Sequence, residues 1–174
     1  SFKDGFGGVM IGYDSYTSAI NVGITIPIVS EKSTLSDINY IINDIDLREI
    51  DTFTIEDMIN FFILDCKFNG ININENQVIN AEFVSNLDIS TIAISSGIYN
   101  DNLIEIKIND RSWLKSTNSH RWYILYHELG HDILNLRHGE GGKMMFTRPT
   151  KPNYSWEDFL NDKSIMFKNY TENN

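Results

Sequence analysis

The sequence predicts an α+β fold: a small mixed sheet, a central helix carrying most of the histidines, and a C-terminal helix. Three observations predict it. Segments 20–29, 77–85, 90–95 and 103–108 are short, rich in β-branched residues and wholly or partly alternating. Residues 54–68 and a stretch beginning near 119 instead repeat their apolar residues at three- and four-residue steps, which is helical spacing. Finally, Ser155 stands before a run holding Trp156, Phe159 and Leu160, the pattern of a capped terminal helix.

Taken in order, residues 1–12 hold Gly5, Gly7, Gly8 and Gly12 and are expected to be a flexible start. In 20–29, Ile20, Val22, Ile24, Ile26 and Ile28 share one strand face, and Pro27 places that strand at an edge or near its end. Ser36 is suited to cap a short helix with Ile38, Ile41, Ile42 and Ile45. Thr54 is expected to cap the helix 54–68, with Glu56 and Asp57 at its positive end and Asn69-Gly70 terminating it. Ile55, Met58, Ile59, Phe62 and Cys66 form its buried stripe. That makes the single cysteine a core residue rather than a masking ligand for a metal, and it excludes an internal disulfide. Asn100-Asp101-Asn102 is a turn before the strand 103–108, and residues 109–113 lead to the central helix.

That helix has Trp122, Leu125, Tyr126, Leu129, Ile133 and Leu136 as its apolar stripe. Asn118 or Ser119 is expected to cap it, and Asn135 to stop it in the left-handed conformation. On its other side lies His127-Glu128-Leu129-Gly130-His131, an H-E-x-x-H motif, followed by His138. Three of the four histidines thus fall within twelve positions. Residues four apart stand one above the other on a helix, so His127 and His131 can share one metal ion. Glu128 is rotated by roughly 100° and is placed to hold a water without ligating the metal. A reversal at Asn135 would bring His138 back to the same ion.

These residues resemble the zincin metallopeptidases, and within them the metzincins, whose pattern is H-E-x-x-H-x-x-G-x-x-H followed by a methionine-containing turn. The resemblance covers about residues 103–146. It implies that His127, His131 and His138 bind Zn2+, that Glu128 is the catalytic general base, and that Met145, or Met144 beside it, lies under the metal. It also implies that an edge strand, placed here at 90–96, binds an extended peptide by strand addition. Here the third histidine comes one residue late, and Asn135 stands where a displaced glycine would be. The tyrosine that some relatives carry two residues past the methionine is replaced by Phe146 or Thr147. Some metzincins block their zinc with an upstream aspartate, a role Asp4 would have to fill, although an ordinary turn suits that residue better.

The expected function is therefore a zinc-dependent metalloendopeptidase in one domain over 1–174, with 1–50 its least defined part. The alternatives are a gluzincin-like enzyme with Glu157 as third ligand, a zinc amidase acting on cell-wall peptides, and a non-catalytic binding module of the same fold. Asp132 is a candidate second-sphere acceptor for a ligating histidine, or else a surface ion-pair residue.

Composition sets the outer bounds. A chain of 174 residues with 41% hydrophobic content suits a globular protein with a sizeable core. A net charge of −10 argues against nucleic acid as a partner and weakly favours neutral or basic substrates, while the partner that the resemblance implies is a protein or peptide substrate. No run reaches the length of a membrane span, and no export signal is visible. The chain begins at Ser1 without a methionine, so trimming is expected, and a secreted or periplasmic setting is preferred. Oligomeric state is not legible.

Overall fold

The computed structural model describes residues 8–13, 20–25, 54–74, 76–88, 90–96, 102–147 and 153–174. The chain divides into two compact units, Ser1–Phe68 and Asn69–Asn174.

In the first unit, β1 (Gly8–Tyr13) pairs antiparallel with β2 (Ile20–Thr25), with Gly8 opposite Thr25 and Tyr13 opposite Ile20. The glycine-rich start is therefore a strand in its second half. Val9 and Ile11 carry β-branched preference there, and cross-strand bonding outweighs the flexibility of Gly8 and Gly12. The expected Ser36 helix, Pro27 and Asp4 lie outside the described residues.

Helix α1 (Ile55–Phe68) begins as expected. Asp57 N–H donates to the Thr54 hydroxyl at 3.1 Å, and the Asp57 carboxylate accepts from Thr54 N–H at 2.9 Å. Two of the donors that every helix start leaves open are thus satisfied reciprocally. Gly70 follows at φ 72°, where a side chain would be strained. Met58, Ile59, Phe62 and Cys66 are buried, and burial, with Asp65 nearby, pushes the Cys66 thiol well up. A thiol so held is a core group, not a nucleophile or ligand.

The second unit has a three-stranded sheet in the order β3 (Val78–Val84), β5 (Leu103–Asn109), β4 (Ala93–Ser96). β3 is parallel to β5 and β4 antiparallel to it, so the sheet is mixed as expected. Central β5 buries Ile104, Ile106 and Ile108 on one face and exposes Leu103, Glu105 and Lys107 on the other, the period-two pattern of a half-covered sheet.

Asn109 ends β5 and also caps the short helix α2 (Asp110–Lys115), accepting from Ser112 N–H. Helix α3 (Asn118–Asp132) follows. Its cap is Thr117, whose hydroxyl accepts from His120 N–H, rather than Asn118 or Ser119. Ser119 is buried and donates to the Tyr154 carbonyl at 2.8 Å, so its hydroxyl serves a tertiary bond instead.

Trp122, Leu125, Tyr126 and Leu129 form the buried stripe of α3. They face helix α4 (Trp156–Asn173) and its Phe159, Met166 and Phe167. The Phe159 ring meets Tyr126 edge-on at 5.1 Å and Trp122 at 6.0 Å. Met166 lies inside α4 and is wholly buried, so it belongs to the core. Among the described residues, no helix is long and apolar enough to cross a membrane.

Helix α4 starts with a capping box: Ser155 Oγ accepts from Asp158 N–H, and the Asp158 carboxylate accepts from Ser155 N–H, each at 3.1 Å. Since α4 supplies the other half of the core beneath α3, losing this cap should be felt globally. Ser155→Ala is expected to lower unfolding stability by about 0.5–2 kcal/mol, and Ser155→Asp to keep most of it. Urea titrations of the three proteins measure this, and an unchanged midpoint in Ser155→Ala would contradict it.

Candidate metal centre

Helix α3 places His127 and His131 one turn apart, and the loop after it returns His138 to them. One ring nitrogen of each histidine lies within 4.8 Å of those of the other two. His127 Nε2 is 3.1 Å from His131 Nε2 and 3.3 Å from His138 Nε2. Two nitrogens bound at about 2.0–2.1 Å to one tetrahedral ion are separated by about 3.3–3.4 Å, so this spacing is the spacing of ligands.

The other ring nitrogens show which protonation state is held. His127 Nδ1 lies 2.8 Å from the Met144 carbonyl, and His131 Nδ1 lies 2.6 Å from the Leu136 carbonyl. A carbonyl only accepts, so both Nδ1 atoms carry a proton, and in the neutral rings the Nε2 atoms facing one another are acceptors. A shared proton or a metal cation relieves the repulsion of two such lone pairs at 3.1 Å. The three imidazoles can hold a metal ion. The acceptors behind His127 and His131 are backbone carbonyls, and Asp132 is buried.

The segment after α3 shows how the late third histidine is accommodated. The helix ends at Asp132, three residues before the expected stop, although Asn135 does take the left-handed conformation at φ 53°. Leu134 and Leu136 explain the early end. Both are buried, yet on a continuing helix they would point roughly 200° apart. Leaving the helix lets both reach the core. Leu136 N–H then returns to the Gly130 carbonyl at 3.0 Å. Glu140 closes the next turn, its N–H on the Arg137 carbonyl and its carboxylate on Arg137 N–H. His138 projects from that turn and is the exposed member of the three.

Residues Gly142–Met145 form a 3-10 turn directly under α3. Met144 and Met145 are both fully buried. Met144 contributes its carbonyl to His127. Met145 lays its sulfur against Gly130, where an added Cβ would come within 2.7 Å of Sδ. The glycine inside the motif is thus required by the turn beneath it. Tyr123 stacks on His127 and donates to the Phe146 carbonyl at 2.6 Å, tying the same turn from its other end. Burial, then Asp162 and Glu128, pushes its phenol far up, which suits a fixed donor.

Glu128 is buried beside this cluster. Burial raises its carboxyl above the usual range, while hydrogen bonds from the Ser95 hydroxyl and the Ser95 N–H, and the charge of His131, pull the other way. Ser95 was not among the residues singled out by sequence, although the strand that carries it was. Sequence holds no signal for it, because which amides of an edge strand point outward depends on pairing phase. Here that phase is fixed: Asn109 N–H bonds the Ile92 carbonyl, and the register runs Ala93 to Ile108 and Ser95 to Ile106. The bonded pairs are then the even residues of β4, and the N–H and C=O of Ala93 and Ser95 point away from β5. β4 also packs against α3.

Glu157 is exposed on the first turn of α4 and is no member of the cluster. His138→Ala is accordingly expected to weaken metal binding by at least about tenfold, with Glu157→Gln unchanged. Competition titrations against a chromophoric chelator measure both, and the reverse result would reassign the third ligand.

Acid should act on the same groups. Burial foremost, and then the neighbouring His131 and His138, hold His127 down to about 4, against the opposing bond from Met144. Its folded value is below the unfolded one of about 6.5, so the unfolded chain takes the proton first. The contribution to stability is complete above about 6.5 and is lost as pH falls toward about 4. The thermal midpoint of metal-free protein is expected to fall across that window, and the metal-loaded protein to release its ion there. A midpoint flat between about pH 7 and about pH 4 would contradict it.

No protein-family model, curated protein or solved structure matches this chain.

Proposed function

We propose that the protein is a zinc metallopeptidase whose ligands are His127, His131 and His138 and whose general base is Glu128. One observation carries this reading: three imidazoles converge at ligand spacing with a buried carboxylate beside them. Structural zinc sites are closed by four protein ligands, whereas catalytic sites use three and keep a position open. Among the described residues the cluster has three, and its exposed member, His138, leaves it open to solvent.

Zinc held there would supply Lewis acidity toward a carbonyl and an activated water. Each residue of the chain then has a defined task. Met144 and Leu136 fix the two helical imidazoles in the tautomer that binds metal. Glu128 takes the proton of the attacking water and passes it to the leaving amine. The outward N–H and C=O of Ala93 and the outward C=O of Ser95 are available to an extended peptide, which supports a peptide over a compact substrate.

The test is metal content together with cleavage of an unfolded protein such as casein, with and without a chelator. About one zinc per chain and chelator-sensitive cleavage are expected. Glu128→Gln should keep the zinc and lower kcat by about 10²–10⁴. A parent protein that binds zinc but cuts neither casein nor a peptide library would point to a binding module. Cleavage confined to cell-wall peptides would point to the amidase.

A further inference from the structure

We propose that Ser95 is the positioning residue of the general base: its hydroxyl and its backbone N–H together hold the Glu128 carboxylate between β4 and α3. This rests on the peptidase reading above and adds to it a residue outside the motif.

Two features of β4 put both donors in one place. The outward phase of Ala93 and Ser95 turns the Ser95 amide away from β5, where the Glu128 carboxylate on α3 accepts it. Ser95 also pairs with Ile106, and cross-strand partners share a face, so its side chain lies on the buried side of the sheet with Ile104, Ile106 and Ile108. A residue at 94 or 96 would meet neither condition. Ile94 is 46% exposed, on the opposite face, and its N–H is committed to β5.

The arithmetic of the carboxylate shows what such a clamp does. An ionised carboxylate has about four acceptor positions. Two donors from Ser95 leave about two for the reacting water, and they restrict the side chain to one orientation. A glutamate without them would keep rotamer freedom, and its encounter with the water would be less frequent in the reacting geometry. The donors touch neither metal nor substrate, so the effect belongs to turnover and not to binding.

Kinetics and amide exchange together test it. Ser95→Ala is expected to keep its zinc, lower kcat at least about tenfold and leave KM within about twofold. Ser95→Thr, which retains the hydroxyl on a strand-favouring residue, should recover most of the loss. Residue-resolved hydrogen exchange gives a readout independent of activity. In Glu128→Ala the Ser95 amide should exchange faster, while the Ile94 and Ser96 amides, bonded to β5, stay unchanged. If the parent cleaves no peptide, the peptidase reading fails and this proposal with it. If the parent cleaves and Ser95→Ala keeps full kcat, or the Ser95 amide ignores the loss of Glu128, only the proposal is overturned.

Discussion

The constraint on which the second unit depends is the direction of two ring protons. Once the Met144 and Leu136 carbonyls accept from His127 and His131, the opposite nitrogens are left as bare acceptors facing one another. Each carbonyl comes from a different segment, the 3-10 turn and the loop after α3. The site is therefore not a property of the helix alone. A helix with the same five residues and nothing beneath it would let both imidazoles rotate and take either tautomer. Gly130 allows Met145 to approach, Tyr123 ties the far end of the turn, and α4 packs against both α3 and the turn. The core and the metal site thus share elements, and what stabilises one orients the other.

Much of this was legible in the sequence, and the reasons differ by residue. The α3 stripe, the Thr54 and Ser155 caps and the strand at 103–108 are local signals, settled by periodicity and one side chain each. Met166 could be placed in the core because a capped apolar run encloses it. Gly8–Tyr13 was missed because its glycines mask the alternation. Thr117 was passed over because Asn118 and Ser119 are equally good caps, and only the buried bond from Ser119 to Tyr154 separates them. Ser95 and the two carbonyls were invisible: strand phase and main-chain direction leave no trace in residue type.

The segment 133–137 returns His138 to His127 and His131 without lengthening the helix. Lengthening the helix would have rotated His138 away from the site. The chain instead shortens the helix and spends the residues in an open turn, with Leu134 and Leu136 both anchored in the core. Asn135 is the pivot. At φ 53° a β-branched residue would be strained, whereas Asn tolerates the left-handed region and glycine would enter it freely. An asparagine also loses less conformational freedom on folding than a glycine would. Asn at this position is thus compatible with the reversal of direction.

On the proposed peptidase reading, the edge of β4 carries two demands that compete. Of the outward groups at Ala93 and Ser95, the Ser95 amide is given to Glu128, so a peptide laid along this edge meets one donor and two acceptors there. That is a short ladder, and antiparallel pairing draws its strength from reciprocal donor–acceptor pairs. Only Ala93 offers a full pair. Main-chain bonding at β4 is therefore suited to setting the direction of a peptide rather than to holding it tightly. A strand that aims a substrate and also steadies the base couples the two halves of one reaction. Any displacement of β4 on binding would be transmitted to Glu128 through two hydrogen bonds, without passing through the metal.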